Sequence, residues 1–257
     1  GDGGDELFAG YPTYVADKLH RGLSHFLPAM AWSGIYSLAD RVLPVSHKRM
    51  SLDFKLRQFL RGMKLDPARA HFSWRVLQTQ NVWRSLLHPD LARDCSWDEV
   101  FSEFEPHYSK SKSLDPLDQA LYVDTKTWLV DSVLVKVDRA TMANGLEARS
   151  PLLDHRLAEF AAKLPVDMKL RGFKGKWILR QLAASRVPET VMKQPKRGFS
   201  VPISSWFGKE GLKIVEDSLF TSMKAGYFNN QALMTLYEEH RQGIFDHGLT
   251  LFNIIIA

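Results

Sequence analysis

Thiols are nearly missing from this chain: Cys95 is the one cysteine in 257 residues. That excludes an internal disulfide framework and a cysteine-rich zinc site. No nucleophile context surrounds Cys95, so it reads as a structural or incidental thiol, and a reducing, cytoplasmic setting fits best. No apolar run has the length needed to cross a bilayer, so no membrane partner is expected. Internal repeats, low-complexity tracts and Pro/Gly/Ser-rich linkers are all missing, so no internal boundary is visible between residues 1 and 257. Convincing alternating strand patterns are scarce. Neither sign of charge dominates: the net charge is +5, and charged residues make up 25% against 45% apolar, an ordinary globular balance.

What remains is helical periodicity. Tyr14, Val15, Leu19, Leu23 and Phe26 share one helix face that ends before Pro28. Ile35, Leu38 and Val42 mark a second, and Phe54, Phe59, Leu60 and Met63 a third. Leu117, Leu121 and Trp128 mark a helix starting near Pro116, and Leu157, Phe160, Ala161 and Leu164 one that stops at Pro165. Further helices are predicted over 177–184, 212–219, 232–240 and 249–257. Asp154 is placed to cap the helix of Leu157. Trp177, Ile178 and Leu182 repeat at helical spacing and read as core.

The opening stretch, GDGGDELFAGY, raises a chemical question. Gly3 and Gly4 permit positive φ and close approach. Asp5 is placed to cap a helix running through Glu6 to Ala9. Asp2 and Asp5 are hard oxygen ligands suited to Mg²⁺. An EF-hand is excluded, because its alternating ligands and closing glutamate are missing. Taken alone the stretch reads more readily as a surface turn with a helix cap.

Charge is unevenly spread. Between Lys163 and Arg197 there are ten Lys/Arg, opposed only by Asp167 and Glu189. Such a block suits a small polyanion, a nucleic acid, a membrane surface or simple solvation. Within it, KQPKRGFSVP reads as a basic loop anchored by an aromatic, with a lysine able to close over a polyphosphate. In KVDRATMANGLEARSPLLDHRLAEF, Glu147 and Arg149 are spaced to clamp a loop by a buried ion pair. In DTKTWLVDSVLVKVDRA, Asp124 lies on a helical face and Asp131 begins a second turn or helix.

These stretches occur in the order GDGGDELFAGY, DTKTWL, LVKVDRATMANGLEARSPLLDH and KQPKRGFSVPISSWF. In that order they resemble the C-terminal synthetase domain of the glutamine-hydrolysing asparagine synthetases. The resemblance covers essentially the whole chain and implies that residues 1–257 are one partial synthetase domain. The fold class expected is therefore a predominantly α-helical chain, the C-terminal part of an α/β ATP-pyrophosphatase-type domain. The activity implied is ATP-dependent: a carboxylate, usually the aspartate side chain, is adenylated with release of pyrophosphate, and ammonia then attacks. The ammonia comes from glutamine in an upstream glutaminase domain. ATP and Mg²⁺ are the implied cofactors, and a homodimer is one arrangement the resemblance allows.

The resemblance assigns roles residue by residue. Gly1 and Gly3 lie in the loop against the nucleotide. Asp5 matches the position that helps bind Mg²⁺-pyrophosphate, and Asp2 an acidic position near the reacting intermediate. Lys196 matches the lysine that contacts the phosphates and stabilises charge during adenylation. Asp124 matches an acidic position near the substrate pocket. Glu147, Arg149, Pro151 and Asp154 match a signature of architectural role.

Two parts of the family pattern are not in this sequence: the Ser-Gly-Gly-x-Asp-Ser pyrophosphate loop and the glutaminase with its cysteine. Both are expected upstream, so the chain reads as a piece of a larger enzyme. Competing readings are a relative acting on another carboxylate, as in surface-polysaccharide, peptide or β-lactam synthesis, and a non-catalytic helical scaffold. A nucleic-acid binder is the least favoured.

Overall fold

The computed structural model describes residues 2–43, 52–76, 78, 80–94, 96–194, 203–207 and 212–256. Helices account for most of them. The two named strands among the described residues, Leu170–Arg171 and Lys174–Gly175, form one antiparallel hairpin. No helix among the described residues is long and apolar enough to cross a membrane. The chain divides into two compact units, each built from two separated segments. One comprises Gly1–His25 with Ser102–Lys196, the other Phe26–Phe101 with Arg197–Ala257.

In the first unit, the Pro12–Leu23 helix starts with proline in its first turn, where the missing N–H costs nothing. Its residue Tyr14 is fully buried against Ala9, Ala120, Leu121 and Leu170. The Pro116–Lys126 helix is capped by Asp115, whose carboxylate accepts from the Leu117 N–H at 2.8 Å. This helix packs on both Pro12–Leu23 and the short Gly4–Leu7 helix, and so carries the opening loop. It ends at Lys126, before Trp128, and a π-helical turn follows over Leu129–Leu134. Asp131, expected to begin a new turn or helix, lies inside that π turn. Asp154 caps the His155–Lys163 helix as its position predicts, accepting from the Arg156 N–H at 2.9 Å. Beneath the hairpin, Lys169 is buried and donates to Asp118 at 2.7 Å.

In the second unit, Leu86, Val215, Leu219, Leu233, Leu236, Tyr237, Leu251 and Ile254 form one core cluster. It is assembled from the helices Gln80–Leu86, Leu212–Ala225, Asn230–Arg241 and Gly248–Ile256. Tyr237 donates to Glu216 at 2.5 Å, tying the Asn230–Arg241 and Leu212–Ala225 helices together. Burial, reinforced by that carboxylate, pushes the Tyr237 hydroxyl up to about 12. Leu60 and Met63 of the Leu52–Met63 helix are buried as their spacing predicts.

Some expected apolar faces are not covered. Ile35, Leu38 and Val42 of the Ala29–Val42 helix are 38%, 64% and 71% exposed. Phe26 lies beyond the Pro12–Leu23 helix and is exposed. Trp177 is half-buried and Leu182 exposed, so the expected core stripe of the Trp177–Ala183 helix does not form. The Trp177 ring is instead covered by the Arg171 guanidinium, 4.9 Å from its centroid.

Candidate functional site

The opening loop folds differently from its expected cap. Gly3, not Asp5, is the residue before the helix, and it sits at φ +83°, a left-handed conformation suited to glycine. A Cβ there would lie 2.1 Å from Leu153, in the Pro151–Leu153 turn. The helix is one turn, Gly4–Leu7, and stops short of Ala9. Asp5 lies in its first turn and turns its carboxylate to the Lys176 ammonium, 3.0 Å away. Gly10 closes the loop: its N–H donates to the Asp5 carbonyl at 2.8 Å, and a Cβ there would fall 1.9 Å from the Asp5 carboxylate. The close approach that keeps Asp5 against Lys176 thus requires glycine at position 10.

Glu6 points the other way, into the unit. It is 1% exposed and accepts from the Tyr11 hydroxyl at 2.6 Å, while the Trp128 indole N–H donates to the Tyr11 oxygen at 3.3 Å. Burial, and then the hydrogen bond to Glu6, pushes the Tyr11 hydroxyl well above its ordinary range. One acidic residue of the loop therefore anchors the turn while its neighbour faces a cation.

Asp2 accepts a long hydrogen bond, 3.4 Å, from the Ser150 hydroxyl. Two stretches singled out in the sequence thus meet, although 148 residues separate them. Asp124 is buried at 1% exposure on the helix that carries the loop. Gly1 and Lys196 lie outside the described residues, as do the rest of the KQPKRGFSVP loop from Pro195 onward and Cys95. Glu147 and Arg149 form their ion pair, but both side chains are exposed, so the expected buried clamp is a solvated one. Asp154 adds a pair with Arg156 at 2.8 Å, and the hydrogen bonds from Arg156 hold its carboxyl at about 2.

Sequence reasoning missed Lys176, Ser150 and the Glu6–Tyr11–Trp128 chain. Lys176 was one cation among ten in a basic block. Only its contact with a loop 171 positions away, invisible to spacing, distinguishes it. Glu6 and Tyr11, five residues apart, carried a local signal that was readable.

The arrangement offers hard carboxylate oxygens at Asp2 and Asp5. Among the described residues no group of three or more His, Cys, Asp or Glu is placed to hold a metal. A protein-only cage of the calcium type is therefore not formed by them, whereas Mg²⁺ takes one or two carboxylates and completes its shell with water and phosphate oxygens. An open groove of about 680 Å³, lined by Arg84, Arg93, Asn229 and Thr235, belongs to the other unit and includes no residue of the loop. Arg93 is already paired there with Asp90.

Comparison with known proteins supplies what geometry alone does not. The chain matches the family model for asparagine synthase over residues 1–257. It is 28% identical, over its full length, to asparagine synthetase [glutamine-hydrolyzing] 1 of Bacillus subtilis, of which the match covers 38%. It is 32% identical, again over its full length, to a putative asparagine synthetase [glutamine-hydrolyzing] of Mycobacterium bovis, covering 37% of that protein. A fungal protein named amidase chyE, from Penicillium rubens, is 24% identical over 81% of this chain, which covers 32% of its length. The chain thus spans under two-fifths of the length of these curated relatives. No solved structure matches it. With the family model matched from end to end, the chain belongs to the asparagine synthase family.

Proposed function

We propose that residues 1–257 are the C-terminal part of a synthetase domain that forms an amide bond driven by ATP. The observation that carries this reading is the Gly3–Asp5 turn, with its aimed carboxylate, at the start of a chain that matches the family over its whole length. In this reading a substrate carboxylate oxygen attacks the α-phosphorus of ATP and pyrophosphate leaves. Ammonia then attacks the acyl carbon, loses a proton, and AMP departs. Aspartate is the simplest acceptor and asparagine the product, with ammonia delivered from glutamine by an upstream glutaminase domain in a cytoplasmic setting.

The chain's own residues divide the work. Asp5 would hold Mg²⁺, and the donor fits: its hard carboxylate oxygen stands on a turn shaped by Gly3 and Gly10, and Mg²⁺ takes one or two such oxygens. An ion held by Asp5 would supply positive charge to offset that of the departing pyrophosphate. Asp2, which accepts from the Ser150 hydroxyl, would face the reacting carboxylate. Gly1 and Gly3 let the backbone approach the nucleotide, and Lys196 contacts the phosphates. Asp124, buried within its helix, supports the substrate side of the site.

Pyrophosphate release by the whole protein tests this, given MgATP and either ammonia or glutamine, with and without aspartate. Aspartate-dependent release with asparagine formed is expected, and Asp5→Asn should lower kcat by about two to three orders of magnitude. Silence with every carboxylate tried would overturn the reading in favour of a scaffold. A second reading is amide formation on a different carboxylate; what leaves room for it is that one relative carries the name amidase, not asparagine synthetase. Release triggered by another acid but not by aspartate would select it.

A further inference from the structure

Lys176 combines two features that are uncommon separately. Its backbone is left-handed, at φ 55° and ψ 35°; among the described residues only Ala9 shares a positive φ without being glycine. Such a conformation in a residue with a side chain persists only where the surroundings impose it. Here the surroundings are the opening loop itself. The Lys176 N–H donates to the Phe8 carbonyl at 2.7 Å, and its ammonium meets Asp5 at 3.0 Å. Both side chains are half-buried, at 30% and 22% exposure. One strained residue thus grips the loop twice, by its main chain and by its charge.

We propose that the Lys176 ammonium is a resident counter-cation of Asp5, which a divalent cation must displace to reach that carboxylate. The inference rests on the reading of Asp5 as a metal ligand. An oxygen already in contact with an ammonium cannot accept a dication at bonding distance without bringing a single and a double positive charge close together. Even at water-like screening that repulsion weakens binding by about tenfold. Lys176 therefore keeps the carboxylate aimed and the turn folded when no metal is bound. It also holds off bare divalent ions and leaves the site to a cation that arrives with an anion able to offset the lysine.

The test is direct titration of the whole protein with Mn²⁺ alone, followed by electron paramagnetic resonance. Lys176→Gly removes the charge and relieves the left-handed strain, so the variant has no backbone reason to misfold. Lys176→Arg keeps the charge. Expected is Mn²⁺ affinity about tenfold tighter in Lys176→Gly, unchanged in Lys176→Arg, and lost in Asp5→Asn. A merely structural lysine would leave the affinity unchanged or weaker in Lys176→Gly. That result, with binding still lost in Asp5→Asn, overturns the counter-cation and leaves Asp5 as a ligand. Unaltered binding in Asp5→Asn would overturn the ligand reading and the inference together.

Discussion

Buried charge is the costliest thing a residue can bring to an interior, and Lys169 brings one at 1% exposure. Its ammonium is matched by Asp118 at 2.7 Å and lies 3.4 Å from the Ala162 carbonyl. Removing one partner of such a pair strands the other, which typically costs about 3–5 kcal/mol, whereas replacing both by apolar groups is often neutral. Asp118→Ala should therefore destabilise by about that amount in urea denaturation, and Asp118→Leu with Lys169→Met should recover most of it. A single variant as stable as the parent would show that the pair carries no such weight. The contrast with Asp154 shows what a sequence discloses about single residues. Asp154 caps the helix that directly follows it, so its role was readable from three or four positions. Lys169, Lys176 and Ser150 act on partners 51, 171 and 148 positions away. No local pattern records such distances. Asp5 misled for a different reason: its residue type suits a cap, but Gly3 takes that place because the turn needs a positive φ.

At the scale of elements, the helix pair Leu212–Ala225 and Asn230–Arg241 has a titratable fastener as well as an apolar seam. The Tyr237 hydroxyl donates to Glu216 and is raised from 10.0 to about 12. A folded-state value above the unfolded one means that the contribution is complete below pH 10 and fades as pH rises through about 12. The stability difference between the parent and Tyr237→Phe should accordingly be constant from pH 8 to 9 and shrink as alkaline pH is approached. A difference that grows with pH would contradict the assignment. Helix existence was largely legible here, because apolar residues recurring every three to four positions have no other economical use. What periodicity does not disclose is how fully a stripe is covered, and Ile35, Leu38 and Val42 stay 38%, 64% and 71% exposed. Nor does it distinguish a π turn from an α turn, so Asp131 reads as the start of a turn or helix where Leu129–Leu134 is a π turn. The two-residue strands of the hairpin are too short to alternate at all.

For the whole molecule, the order of segments matters more than any one of them. The second unit draws its core from Leu86 in one segment and from residues 215–254 in the other. Leu233→Ala, in the middle of that cluster, should cost about 2–5 kcal/mol. Hydrogen exchange should then show lost protection both around Leu86 and across the later helices. Loss confined to the later helices would mean that the two segments do not form one cooperative core. The interleaving also explains why no boundary was legible: composition shifts mark a linker crossed once, not a chain that passes between units three times. It has a consequence for descent as well. A single crossover between two related genes cannot leave both units entire, since wherever it falls at least one unit becomes a hybrid of both parents. Variation acquired in one stretch of the gene must therefore stay compatible with a distant stretch of the same unit, and the two are inherited as a working pair.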